Sequence, residues 1–426
     1  MTTDRPAPST DRPAPPAGRE PASGEGIFAG LKVLDFTWAA AGPIVTKQFS
    51  DNGATVVKIE SGRHPDSVRL GGPFKDGRPG INRSGFFADF NSSKQSVAVD
   101  MGSEEGRALV RRLAAWADVV AENFRPGVMD RWGLGYEQVR ETNPGVVFLS
   151  SSLYGDDGPW SSLAGFGAQG AAAAGIHALT GWPDRAPALP KGAYTDSTSP
   201  RYAMAALTAA LIHRERTGQG QRIEMSQVES TVEILAAHLL EYQLTGSAPD
   251  RAGNAAKGRR LHAVLPCAGD DRWIAVEART DAEWHGLLDV LGRYGDAEPL
   301  RELSAVECLI RSAEVERLAA SLTAVADPFE LMDRLQAAGV PSGVVLTGSD
   351  LLADERLRAR GHFWPLPHAE MGTLDYNGPA YRFERTPSRL TGAAPLLGEH
   401  TDDVMRDLLG LDDEQIADLH ERGVLR

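Results

Sequence analysis

LKVLDFTWAAAGPIVTKQFSDNGATVVKIE, residues 31–60, decides the fold. The apolar run over 31–36 reads as a buried strand. Gly42 and Pro43 mark a helix start, and Asn52-Gly53 mark its end. A second apolar run, over 55–59, follows at once and reads as the next strand. The pattern then repeats outward. A strand is expected over 96–100. Ser103-Glu104-Glu105 opens a helix that runs amphipathically to Trp116. Further strands are expected over 118–121 and 146–150. Short strands alternating with helices indicate an α/β chain, with a parallel sheet flanked by helices.

Downstream, Ser199 is placed to cap a long alanine-rich helix and Pro200 suits its first turn. Arg214 and Arg216 suit the last turn, and Gly218 ends it. A short strand over 222–225 and a second long helix over 227–245 follow. The composition changes after Gly246. Residues 246–260 are polar, glycine-containing and basic, with Lys257, Arg259 and Arg260, and read as a linker or mobile loop. A smaller unit follows, with strands over 273–276 and 343–346 and several helices between them. Residues 362–393 mix short strands and turns, and two helices near 402–409 and 413–421 close the chain.

The 426 residues exceed what one hydrophobic core usually serves, so two domains are expected. The formal net charge of −14 argues against nucleic acid or an anionic membrane as the main partner. Cys267 and Cys308 give neither a disulfide framework nor zinc-ligand spacing, and a reducing cytosol fits. No apolar run approaches the roughly 18–20 residues that span a bilayer. Residues 1–26 are rich in Pro, Ala, Ser and charge and repeat Asp-Arg-Pro-Ala-Pro at 4–8 and 11–15. They are expected to be a disordered tail rather than a signal peptide.

Asp196 is the residue with the most chemistry in prospect. It lies just before Ser199-Pro200, where a helix dipole favours the ionised carboxylate, and an ionised carboxylate can act as a covalent nucleophile. Taken alone, Asp196 reads as a turn or capping residue. Motifs elsewhere in the chain reverse that reading.

Val33-Leu34-Asp35-Phe36-Thr37, with Ala41-Gly42-Pro43 after it, opens a series of such motifs. Gly53-Ala54-Thr55-Val56-Val57-Lys58-Ile59-Glu60 follows, then Asn91-Ser92-Ser93-Lys94-Gln95-Ser96 and Glu122-Asn123-Phe124-Arg125-Pro126-Gly127. Arg214-Glu215-Arg216-Thr217-Gly218-Gln219-Gly220-Gln221 and Ala394-Pro395-Leu396-Leu397-Gly398-Glu399-His400-Thr401 complete it. In this order and number they resemble the class III CoA-transferase family (CaiB/BaiF), which also includes formyl-CoA transferases, carnitine CoA-transferases and α-methylacyl-CoA racemases.

The resemblance implies a Rossmann-like large domain over 27–230, completed by 395–426. It implies a small α/β domain over 246–345, a returning linker over 346–394, and a homodimer whose two chains interlock. It places Asp196 as the catalytic carboxylate. CoA would lie beside Trp38, Ala39, Ala40 and Ala41, with Val99 at the adenine. Asn123, Phe124 and Arg131 would line the nucleotide and pantetheine path, and Arg63 would reach a phosphate. The implied substrates are an acyl-CoA and a carboxylic acid, with no metal and no prosthetic group, and the implied location is the cytoplasm.

The chain departs from the formyl-CoA transferases at Ala40 and Gly167, where they carry glutamine and glutamate, so formate–oxalate exchange is not expected. Phe166 stands where the racemases carry their histidine and cannot move a proton. His177 lacks the racemase spacing and reads as structural. An acyl-CoA lyase or dehydratase of the same fold, or a non-catalytic CoA-binding paralogue, are the alternatives. Gly165-Phe166-Gly167-Ala168-Gln169-Gly170 formally fits the dinucleotide fingerprint, but a loop separates it from the preceding strand, against a nicotinamide or flavin enzyme. The Asp156–Trp160 loop and residues 246–265 are the candidates for shaping the acyl pocket.

Overall fold

The computed structural model describes residues 26–190, 192–256 and 258–426. The expected tail, except Gly26, lies outside the described residues, as does Lys257. The chain divides into two compact units. One gathers the described residues up to Ser162 with Pro200–Met225 and His362–Arg426; the other gathers Leu163–Ser199 and Ser226–Gly361.

The first unit is built on β1 (Lys32–Asp35), β2 (Thr55–Glu60), β3 (Gln95–Ala98), β4 (Val119–Glu122), β5 (Val147–Ser152) and β6 (Gln221–Ser226), ordered β3-β2-β1-β4-β5-β6. The pairings from β3 through to β5 are parallel. Alternate residues face opposite sides of a strand, and both sides are apolar here. Leu34, Val57, Val97, Val120 and Phe148 pack with Leu109, Val110 and Leu113 of the Glu104–Trp116 helix on one face. Val33, Val56, Val119 and Val147 pack with Val45, Phe49, Ala203 and Leu207 on the other. Ser103 caps the Glu104–Trp116 helix, its Oγ accepting the Gly106 N–H at 3.0 Å.

The C-terminal segment closes the β3 edge. Thr401 Oγ1 accepts the Ala98 N–H at 3.0 Å, and His400 donates its N–H to the Ser96 carbonyl at 2.9 Å. The helices Thr401–Leu409 and Asp413–Glu421 then bury Val404, Met405, Ile416 and Leu419 in the same core. An antiparallel hairpin, β10 (Phe363–His368) and β11 (Gly372–Asn377), belongs to this unit as well.

The second unit carries an antiparallel sheet of β7 (Leu261–Pro266), β8 (Trp273–Ala278) and β9 (Ser342–Val344). Its core is filled by Trp284, Leu287, Leu331 and Leu335 from the helices Asp281–Leu291 and Pro328–Ala337. Residues 163–199 also sit in this unit, where the Gly167–Ala173 helix packs on the Gln227–Ile234 helix. Among the described residues, no helix is long and apolar enough to cross a membrane.

Two expectations are corrected. The long helix begins at Tyr194, not at Ser199, and Pro200 lies inside it. The threonine hydroxyls before Pro200 are used in tertiary bonds rather than capping, and the Ser199 hydroxyl is buried without a hydrogen-bond partner. Thr195 Oγ1 donates to the Gly167 carbonyl at 3.1 Å, and the Thr198 and Thr231 hydroxyls meet at 2.8 Å. These tertiary bonds override the weak helix propensity of the segment. The helix expected over 227–245 breaks at Leu235 into Gln227–Ile234 and Ala236–Thr245.

Candidate active site

Asp196 stands in the first turn of the Tyr194–Thr217 helix, one turn earlier than its sequence context suggests. Its carboxylate is partly buried and has no hydrogen-bond partner among the described residues. Burial alone raises its pKa to about 6. Loss of water disfavours the charged form, and no hydrogen-bond donor among the described residues opposes it.

Gly167 makes room for Asp196. A Cβ at position 167 would lie 2.6 Å from Asp196 Oδ1 and 2.5 Å from the Ala193 Cβ. The absent side chain thus lets the carboxylate rest against bare backbone. The same glycine opens the Gly167–Ala173 helix, while Gln169 Oε1 accepts the Phe166 N–H at 3.0 Å. The Phe166 ring is exposed. The glycine run 165–170 thus starts a helix well beyond the end of β5 at Ser152, without the direct strand-to-helix turn a dinucleotide site needs.

In the first unit, the strand order reverses between β1 and β4. In an open α/β sheet, ligands bind outside the carboxyl ends of the strands at such a switch point. Trp38, Ala39 and Ala40 follow β1 here, and Asn123 and Phe124 follow β4. Asn123 locks the two loops together. Its Oδ1 accepts the Trp38 N–H at 2.7 Å, and its Nδ2 donates to the Trp38 carbonyl at 2.8 Å. Phe124 stands edge-to-face with Trp38 at 5.6 Å and with Trp132 at 5.4 Å. Ala41 opens the Ala41–Ser50 helix, which has no side-chain cap at Ala40 and whose first residues, Ala41, Gly42 and Pro43, are buried.

The remaining sequence candidates are more scattered. Arg131 is exposed on the short helix Val128–Arg131, with its guanidinium over Gly127. Arg63 lies beyond the end of β2, more than half exposed, 3.3 Å from Asp100, which Arg426 also holds. Val99 is fully buried in the core, backbone included, and its N–H is bonded to the Glu60 carbonyl at 2.9 Å, so Val99 itself offers an adenine no surface.

Sequence reading missed the charge network beneath these loops. Asp35 accepts from the Thr37 N–H, from the Thr37 and Thr46 hydroxyls, and from Lys94 Nζ at 3.0 Å. Lys58, between Asp35 and Asp66, lies 3.2 Å from Asp66 Oδ2. Asp66 Oδ1 in turn accepts the Ala39 N–H at 2.9 Å, holding Ala39 at φ 62°, a left-handed conformation unusual for alanine. Lys94 is fully buried, and burial pushes its pKa down to about 8 against the pull of Asp35. Asp35 is held below its usual range: burial pushes it up, but Lys94, Lys58 and the threonine hydroxyls outweigh that. The available signal was a charged residue inside each apolar strand run, since buried charges need partners.

Comparison with known proteins gives the family. Residues 28–401 match CoA-transferase family III. The succinyl-CoA–D-citramalate CoA-transferase of Chloroflexus aurantiacus is 31% identical over 395 residues, 93% of this chain and 97% of that protein. The succinate–glutarate CoA-transferase of Agrobacterium fabrum is 31% identical over 386 residues, 89% of this chain and 95% of that one. A crystal structure of a CaiB/BaiF family protein from Brucella suis superposes with a TM-score of 0.82 at 31% identity, covering 90% of this chain and all of that one. The chain belongs to CoA-transferase family III, the CaiB/BaiF group, and is a CoA-transferase.

Proposed function

We propose that the protein moves CoA from an acyl-CoA donor to a carboxylic acid acceptor, with Asp196 as the covalent nucleophile. The observation that carries this reading is the Asp196 carboxylate itself. It is partly buried, unpartnered among the described residues, and seated against a glycine where a side chain would collide. A half-buried carboxylate with a raised pKa and no donor beside it is the kind of group that functional sites keep for chemistry.

Asp196 attacks the donor thioester carbonyl. The carbon–sulfur bond breaks, CoA leaves as thiolate, and a mixed anhydride forms. The thiolate then attacks the aspartyl carbonyl and expels the donor acid as carboxylate, leaving an aspartyl-CoA thioester. The acceptor carboxylate runs the same two steps in reverse, and Asp196 returns unchanged. Covalent catalysis divides one exchange into easier steps, and exclusion of water protects both intermediates. Trp38, Ala39, Ala40 and Ala41 hold CoA, Asn123, Phe124 and Arg131 line its nucleotide and pantetheine path, Arg63 reaches a phosphate and Val99 lies near the adenine.

Succinyl-CoA is the donor to test first, because the Chloroflexus relative is named for it and the Agrobacterium relative for succinate. The organisation into a large CoA-binding domain over 27–230 with 395–426 and a small domain over 246–345 belongs to this proposal. So does pairing with a second, interlocked copy in the cytoplasm. Exposed Leu239, Leu240, Tyr242 and Leu244 on the Ala236–Thr245 helix are apolar surface that a second copy would cover.

The test is peptide mass spectrometry after incubation with succinyl-CoA and a panel of other acyl-CoAs, followed by hydroxylamine. The expected result is a mass change at Asp196 that is absent in Asp196→Asn, together with loss of turnover by about 10⁴-fold or more. CoA binding without any labelling of Asp196 would remove the nucleophile assignment.

A further inference from the structure

The strand β4 ends in Glu122, whose side chain is buried although it carries a charge to be satisfied. Its Oε2 accepts the Phe124 N–H at 2.8 Å, closing a turn around Asn123 and Phe124. Its Oε1 accepts the hydroxyl of Ser150 from the neighbouring β5. Ser150 Oγ also lies 3.3 Å from Asp156 Oδ2, and Asp156 is paired with Arg222 on β6. Glu224, also on β6, accepts the Asp156 N–H at 2.9 Å. The other Asp156 oxygen, Oδ1, is buried with no hydrogen-bond partner. Arg125, Asp130, Tyr136 and Glu137 face the group across a cavity of about 260 Å³.

One serine hydroxyl thus sits between two carboxylates and has one proton to give. Packing alone does not require this, since an apolar residue at 122 would fill the strand end without burying a second acid. What Glu122 does uniquely is fix the N–H of Phe124, next to the residue whose amide holds Trp38.

We propose that Glu122 is a positioning residue for CoA binding. Its carboxylate sets the Asn123–Phe124 turn, and Ser150, Asp156 and Arg222 fix the orientation of that carboxylate. This rests on the reading that the Trp38 and Phe124 loops hold CoA. Protonation rearranges the chain. The new Glu122 hydroxyl donates to Ser150 Oγ, Ser150 turns its own proton to Asp156, and Phe124 is left with a neutral acceptor. Burial, chiefly, brings Glu122 to about 7, with Asp156 adding to the rise while Ser150, the Phe124 N–H and Arg222 oppose it. CoA affinity therefore falls as pH drops through that range. Glu122→Gln imitates the protonated form at every pH.

The experiment is calorimetric titration with CoA between pH 6 and 8.5 in the Asp196→Asn background, which removes the titration of the nucleophile. Glu122→Gln is expected to bind about tenfold more weakly at pH 8, the effect of replacing one charge-assisted hydrogen bond by a neutral one. The parent converges on it near pH 6. In the enzyme with Asp196 intact, Glu122→Gln raises KM for acyl-CoA and leaves kcat within about twofold. Ser150→Ala, which strips the anion of a donor, shifts the affinity transition to higher pH. If Glu122→Gln keeps the parent's Kd and pH dependence, or if kcat falls with KM unchanged, the inference is wrong. A parent that binds no CoA at any pH overturns the CoA-site reading itself, and the inference with it.

Discussion

Asp35 and Asp196 are two carboxylates withdrawn from water, and the protein treats them in opposite ways. Asp35 is fully buried and receives hydrogen bonds from Thr37, Thr46 and Lys94. It is held below its usual acidity range, so it is a fixed charge that organises backbone. Asp196 is less buried, has no partner among the described residues, and rises to about 6. The difference separates a carboxylate that builds structure from one left without donors, as the proposed nucleophile would be. Placement near a helix start decides neither role; the supply of donors decides both.

The largest effect should come from breaking the fixed charge. Lys94→Met leaves Asp35 buried without its ammonium and is expected to cost about 3–5 kcal/mol of stability. Thermal unfolding would show it, and an unchanged melting temperature would mean the network is not one unit. Second, Gly167→Ala forces the Asp196 carboxylate from its seat. Turnover should fall about 100-fold, because small displacements of a reacting group are costly, and the collision with the Ala193 Cβ should lower the melting temperature as well. Steady-state kinetics beside a melting curve would separate the two readouts.

Third, with ionised Asp196 as the proposed nucleophile, kcat/KM should fall about tenfold per pH unit below about 6. A flat profile down to pH 5 would place the reacting group elsewhere. The smallest effect sharpens the comparison from the stability side. A raised folded-state pKa means ionised Asp196 opposes folding, and this cost grows as pH rises from about 4 to about 6. Asp196→Asn should therefore stabilise by about 1–2 kcal/mol at pH 7 and by nothing below pH 4. The corresponding Asp35→Asn change should destabilise at pH 7.

Much of this architecture was legible in the chain. The strands β1 to β5 follow directly from short apolar runs between turn signals, and Ser103 caps its helix as its spacing predicts. The helix start at Tyr194 was not legible, because Pro200 carries a strong local signal while the bonds from Thr195 and Thr198 reach residues far away in sequence. The loops after β1 and β4 were identified by motif, and geometry explains their pairing through Asn123. The role of Gly167 was hidden for a simpler reason. A glycine records only that something needs the space, and the neighbour that needs it, Asp196, is named by the fold.

The closing of the β3 edge by the C-terminal segment has a consequence for biosynthesis. Ala98 and Thr401 are bonded across 303 residues of chain. At about 5–20 residues per second of translation, β3 waits roughly 15–60 s before its edge partner is even made. The β3–β2–β1 half of the sheet leaves the ribosome early with one row of backbone N–H and C=O groups uncovered and its apolar face lacking Val404, Met405 and Ile416. Such a nascent chain is an obvious client for chaperones, and a ribosome stalled before residue 400 should hold a protease-sensitive, incompletely folded first unit.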